Sequence, residues 1–202
     1  MVATQLEARG IKDQEVLRAM RKVPRERFVP EWYRSRACGD HPLPIGYGQT
    51  ISQPYIVALM TELVELKERE RVLEIGSGSG YQAAILAELK TEVYTIEIIK
   101  PLYERAKKIL SEEGYQKVKF LHGDGYLGWK EHAPYDAIIV TCAPDHIPQP
   151  LLKQLKDNGV MVIPVGPPGA YQTLWVVKRE KEKFIFHNWG EVRFVPLIRR
   201  AK

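Results

Sequence analysis

Between Arg71 and Leu89 the chain reads Arg-Val-Leu-Glu-Ile-Gly-Ser-Gly-Ser-Gly-Tyr-Gln-Ala-Ala-Ile-Leu-Ala-Glu-Leu, and few architectures accommodate that order. Val72, Leu73 and Ile75 predict a short buried strand. Gly76, Gly78 and Gly80 interrupt it at once, and the apolar spacing from Tyr81 to Leu89 fits a helix. Strand, glycine turn and helix open a nucleotide site at the carboxyl end of the first strand of an α/β sheet. Around Gly76, Ser77, Gly78 and Gly80 the backbone can approach a ligand closely, with the free N–H groups of the new helix aimed at it. A tight turn with no ligand is the plainer alternative. Spacing excludes the dinucleotide fingerprint, because Tyr81 stands where the third small residue of Gly-x-Gly-x-x-Gly/Ala belongs.

Two further elements follow on schedule. Val93-Tyr94-Thr95-Ile96-Glu97 is a strand-like run ending in a carboxylate 17 residues after Gly80, where a ribose-binding acid is expected. Phe120-Leu121-His122-Gly123-Asp124-Gly125 is a short strand closing on Gly-Asp-Gly, whose Asp124 can accept from an adenine amino group or simply make an Asx turn. Together the three read as an adenosine site. The Gly-x-Gly-x-Gly form preceded by Glu74 resembles the first motif of the S-adenosylmethionine-dependent methyltransferases.

The 202 residues suffice for one sizeable core, with 45% hydrophobic and 27% charged residues in the globular range. No leader or membrane span is expected, since Met1 to Arg27 is studded with charge and no apolar run approaches ~18 residues. Cys38 and Cys142 are too few for a disulfide framework, which fits a cytoplasmic protein. The net charge of +5 resides in the two flanks, residues 1–50 and 166–202, around a slightly acidic middle. Basic flanks can steer an anion, but they lack the basic and aromatic interleaving of a nucleic-acid binder. No nucleic-acid or membrane partner is expected, and the protein is expected to be a monomer.

Local signals predict short helices over 3–9 and 13–22, broken at Gly10, with Asp13 as an N-cap. Residues 30–53 read as an ordered irregular segment, followed by a helix from Pro54 to Leu66 with Ser52 as its N-cap. Strands are expected at 71–75, 93–97, 117–121, 135–141 and 159–165, with helices at 80–89, 100–113 and 148–156. Three terminal strands are expected at 173–178, 183–187 and 192–197. The fold class is therefore α/β, a Rossmann-like sheet that is mostly parallel with antiparallel C-terminal strands. One domain over 1–202 is expected: N-terminal helices and a lid to 66, a cofactor core over 67–166, and terminal strands from 167.

The run Leu43-Pro-Ile-Gly-Tyr-Gly-Gln-Thr-Ile-Ser-Gln-Pro54 can fold over the carboxyl end of such a sheet. With Leu73 to Tyr81, Tyr135-Asp-Ala-Ile-Ile-Val-Thr141 and Gly159-Val-Met-Val-Ile-Pro-Val-Gly166, it resembles the protein-L-isoaspartate O-methyltransferase family. The match extends from Val23 to Leu197, and Thr-Ile-Ser-x-Pro is its distinctive part. The resemblance implies methyl transfer from S-adenosyl-L-methionine to the free α-carboxylate of isoaspartyl residues in proteins and peptides, leaving S-adenosyl-L-homocysteine. It implies an active-site serine at Ser52 and cofactor contacts at Thr50, Ile51, Glu74, Gly76, Glu97, Asp124 and Gly125. It also implies a peptide groove along Phe194-Val195-Pro196. After Val-Pro-Leu some family members carry a hydroxyl residue and a longer polar tail, whereas this chain reads Ile198-Arg-Arg-Ala-Lys.

The chemistry is consistent with these residues. A carboxylate of pKa ~4 is ionised at neutral pH and a sulfonium methyl is already activated, so alignment and water exclusion matter more than a base. Ser52 would orient the acceptor carboxylate. The Tyr103/Lys107 spacing lies in the wrong place for dehydrogenase chemistry, Cys38/His41 has no second pair of ligands, and no metal is expected. Two other classes stay open at this level: a methyltransferase for RNA or a small molecule, and a cofactor-binding module without turnover.

Overall fold

The structure, a computed structural model, describes residues 1–199. Strand β1 (Leu43–Gly46) pairs antiparallel with β2 (Gln49–Ile51) in a small hairpin. The main sheet has seven strands: β3 (Arg71–Ile75), β4 (Glu92–Glu97), β5 (Lys119–His122), β6 (Tyr135–Val140), β7 (Leu155–Val165), β8 (Gln172–Glu180) and β9 (Lys183–Val192). Their spatial order is β5-β4-β3-β6-β7-β8-β9, parallel from β5 to β7 and antiparallel from β7 to β9. The order reverses beside β3, which places a crevice at its carboxyl end.

Strand periodicity divides the core in two. Val72, Val93, Ala137, Ile139 and Val162 face one side, where they meet α1 (Gln14–Lys22), α2 (Pro54–Leu63), α3 (Tyr81–Glu88) and α4 (Lys100–Glu112). Leu73, Ile75, Ile96, Ile138 and Val140 face the other side, against Leu151 and Leu152 of α5 (Gln149–Gln154). Most of these side chains are wholly buried, and each such Leu, Ile or Val contributes ~1.5–3 kcal/mol. Asp13 caps α1 as its position predicts, accepting from the Glu15 and Val16 N–H groups at 2.8 and 3.1 Å.

The structure corrects several expectations. Residues 3–9 form tight π and 3-10 turns rather than an α-helix, ending at a left-handed Gly10. The irregular 30–53 segment contains the β1–β2 hairpin, and α2 stops at Leu63. Helix α5 is shorter than predicted because β7 begins at Leu155. No third terminal strand spans 192–197: β9 itself continues to Val192, and Pro196 makes only an isolated bridge to Ala143. Proline has no N–H for a ladder, which limits pairing there. Among the described residues no helix is long and apolar enough to cross a membrane.

Candidate active site

The glycine loop is built on the tip of β3. Gly76 has φ +96°, and a Cβ there would lie 2.7 Å from Thr141 Oγ1, so no side chain fits. Thr141, just beyond β6, donates through that hydroxyl to the carbonyls of Gly76 (2.7 Å) and Ile75 (3.0 Å). The N–H groups of Gly76 and Ser77 both donate to Ile96 O at the end of β4. Gly78 N–H donates to Glu97 Oε2 at 2.9 Å and Ile99 N–H to Glu97 Oε1 at 2.8 Å. Two backbone donors thus fix the Glu97 carboxylate at the strand tip, and its remaining lone pairs stay available on the cleft side.

Beneath the loop, Ser77 Oγ bonds Thr95 Oγ1 at 2.6 Å, and the Thr95 hydroxyl donates to Glu74 Oε2. Glu74 is fully buried, and its Oε1 has no hydrogen-bond partner among the described residues. Burial pushes its carboxyl up to about 8, opposed by the Thr95 hydroxyl, reinforced by the charge of Glu97 and opposed more weakly by the Ala83 backbone N–H.

Three hollows meet here. One, between Glu97, Ile98, Gly125, Cys142 and the Val195–Ile198 segment, is floored by Ile75 and Gly76. A second, smaller one is lined by Ile51, Ser52, Glu74, Ser77 and Gln82. The third is an open groove of about 690 Å³ between Ser52, Tyr55, Trp189, Arg193 and Phe194. Thr50 and Thr141 line all three, and Ser52 lines the second and third.

The hairpin carrying Thr50 and Ile51 is held over the loop by Arg105 of α4, which donates to Ile45 O at 2.7 Å. Ser52 is not the N-cap of α2, contrary to expectation. That position belongs to Gln53, whose side chain caps nothing. Asp40 does the work instead, accepting from Tyr55 N–H at 3.1 Å and Gln53 Nε2 at 2.8 Å. Among the described residues the Ser52 hydroxyl bonds no protein group and stays available to the cleft.

Phe194 is gripped by buried Gln172, which accepts from its N–H at 2.8 Å. Val195 and Leu197 exchange backbone bonds with Ala143, both at 2.8 Å. Phe194 and Val195 line the open groove, whereas Pro196 lines the hollow beside Glu97 together with Val195. Asp124 makes its Asx turn with Tyr126 N–H at 3.0 Å, and its other oxygen receives Arg199 Nε at 3.4 Å. The tail thus reaches Asp124 through Arg199, while residues 200–202 lie outside the described residues. Gly80 stands apart from the cleft, since a Cβ there would point at Leu110 and Ala106 of α4. Sequence reasoning missed Arg9, Tyr55 and Trp189, which carry no local signature. Thr141 was visible only as the end of a matched strand.

A switch-point crevice, a glycine loop facing an acid on the neighbouring strand tip, and an adjoining open groove define the α/β methyltransferase class. Comparison with known proteins narrows this. The model of the protein-L-isoaspartate(D-aspartate) O-methyltransferase family matches residues 1–202. The chain belongs to that family. The protein-L-isoaspartate O-methyltransferase of Dictyoglomus thermophilum is 58% identical over 192 residues, covering 95% of this chain and 87% of that one. A solved protein-L-isoaspartate O-methyltransferase superposes with a TM-score of 0.87 at 32% identity, covering 97% of this chain and 65% of that chain. A Plasmodium falciparum structure assigned to the same enzyme class, in complex with S-adenosyl-L-homocysteine, superposes with a TM-score of 0.85 at 26% identity. It covers 98% of this chain and 97% of that chain.

Proposed function

We propose that the junction of the three hollows is where methyl transfer to an isoaspartyl carboxylate takes place. As a family member the chain is a protein-L-isoaspartate O-methyltransferase that uses S-adenosyl-L-methionine to methylate isoaspartyl residues. The donor groups suit that cofactor. Glu74 Oε1 is an orphaned acceptor beside the small hollow and fits an ammonium group. Glu97, braced from behind by two N–H groups, fits a pair of ribose hydroxyls, and Asp124 with Gly125 fits the adenine edge. Gly76, Ser77 and Gly78 supply close backbone contact, with Gly80 shaping the loop from behind.

When bound, the cofactor supplies a sulfonium-activated methyl group. The protein's part is then to align and to keep water out. Ser52 donates to the acceptor carboxylate and sets its angle, while Thr50 and Ile51 close the hairpin over the junction. Phe194, Val195 and Pro196 carry the acceptor backbone. The observation that supports this reading most is the position of Ser52, which lines both the hollow below Glu74 and the open groove.

We read residues 1–66 as the cover, 67–166 as the cofactor core and 167–202 as the acceptor wall of one domain. We also read the protein as a cytoplasmic monomer whose partners are isoaspartyl proteins and peptides, without nucleic acid or membrane. The two unpaired thiols, Cys38 and Cys142, support a reducing compartment. Competition tests the acceptor class directly. With labelled cofactor and equal masses of an isoaspartyl peptide and bulk tRNA, label is expected in the peptide alone. Label in the tRNA would overturn the reading in favour of the RNA class.

A further inference from the structure

Beyond Ser52 the groove runs between two guanidinium-on-phenol stacks. Arg9 lies 3.7 Å from the centroid of the Tyr55 ring on one side, and Arg193 lies 4.1 Å from that of Tyr171 on the other. Trp189 joins the second wall. It remains 53% exposed and Tyr171 57%, a large aromatic area left open to water inside a concave surface.

Trp189 owes its place to a defect in the sheet. Along β8 and β9, Trp175 opposes Asn188 but Thr173 opposes Glu191, so β9 carries one residue more than β8 over this stretch. Trp189 and Gly190 therefore share the position opposite Leu174, itself a groove residue. Gly190 takes φ +116°, open only to glycine at low cost, and its N–H donates to Asn188 Oδ1 at 2.9 Å. Bulges beside active sites re-aim side chains. This one sets an indole on the same groove that Ser52 lines.

We infer that Trp189 is a specificity-determining residue that reads the side chain flanking the isoaspartyl residue, selecting acceptor segments with an aromatic or large aliphatic neighbour. The occupant is the acceptor chain itself, because the groove is continuous with the position of Ser52. The inference rests on the proposed function. Physically, the half-exposed indole and the Tyr171 face gain burial only when an apolar side chain lies against them. A glycine neighbour would leave both wet.

The test compares isoaspartyl hexapeptides that carry Tyr or Gly immediately before or after the isoaspartate, with the native protein, Trp189→Ala and Trp189→Phe. The native protein is expected to favour a Tyr peptide over its Gly partner by about fivefold in kcat/KM, through KM. Trp189→Ala should bring the ratio to near one, and Trp189→Phe should restore most of it. Each ratio is taken on a single protein preparation, so a partly folded variant does not distort it. Calorimetric affinity for S-adenosyl-L-homocysteine, unchanged in all three proteins, separates groove effects from cofactor effects. A native protein without flank preference, or a ratio unmoved by Trp189→Ala while transfer continues, would overturn the inference alone. Transfer to none of the isoaspartyl peptides would overturn the proposed function along with it.

Discussion

The Asp40 carboxylate accepts the backbone N–H of Tyr55 at 3.1 Å, capping helix α2 from 15 residues upstream in the sequence. It holds Gln53 as well and pairs with Arg9, so one side chain joins the N-terminal turns, the hairpin and the helix behind Ser52. Asp40→Ala is expected to cost ~1–2 kcal/mol of stability in a denaturant titration, the range for a lost helix cap. Because the same contacts hold the backbone next to Ser52, turnover in the folded fraction should fall too.

Ser52→Ala should behave in the opposite way. The hydroxyl caps nothing, so the denaturation midpoint is expected to stay within ~0.5 kcal/mol of the native value. Turnover should drop ~10–100-fold, the scale of one hydrogen bond to a charged group. Calorimetry should show unchanged affinity for S-adenosyl-L-homocysteine. A variant that loses stability but keeps its turnover would make Ser52 a structural residue.

Glu97→Ala removes the acid on which the loop N–H of Gly78 and the N–H of Ile99 converge. Cofactor affinity is expected to weaken by ~1–3 kcal/mol, measured as a calorimetric Kd. An unaltered Kd would remove Glu97 from the ribose position.

If Glu74 receives the cofactor's ammonium group as proposed, cofactor binding acquires a pH dependence. Burial raises its carboxyl from 4.5 to about 8 in the free protein, so at neutral pH it is mostly protonated. A cationic ammonium beside it favours the ionised form. Affinity for S-adenosyl-L-homocysteine should therefore rise with pH, approaching tenfold per unit below about pH 8, and then level off. Glu74→Gln should flatten that profile. Stability of the free protein runs the other way. The contribution of a neutral Glu74 is complete below the unfolded value of 4.5 and is lost as the pH climbs to about 8.

Much of this was legible because it is local. The strand-loop-helix at 71–89 follows from residue order, and Glu97 follows from a β-branched run that ends in an acid. Ser52 shows where locality fails. Its place before Pro54 suggests a cap, but a distant Asp40 takes that role, and no spacing in the chain announces it. The terminal strands fail for a related reason. Asn188 and Gly190 look like turn residues and end the predicted strand at His187, yet cross-strand pairing carries β9 through them as a bulge. Helix α5 yields residue 155 to β7 because a parallel neighbour, Tyr135, pairs with Leu155. Long-range pairing decides each of these cases, and periodicity does not encode it.

Methyl transfer from labelled S-adenosyl-L-methionine to a matched pair of peptides, one isoaspartyl and one aspartyl, tests the central claim most directly. Base-labile label on the isoaspartyl peptide alone is the expected result, since only that isomer routes its main chain through the β-carboxyl and leaves the α-carboxylate free. Equal label on both peptides, or none on either while S-adenosyl-L-homocysteine still binds, would contradict it.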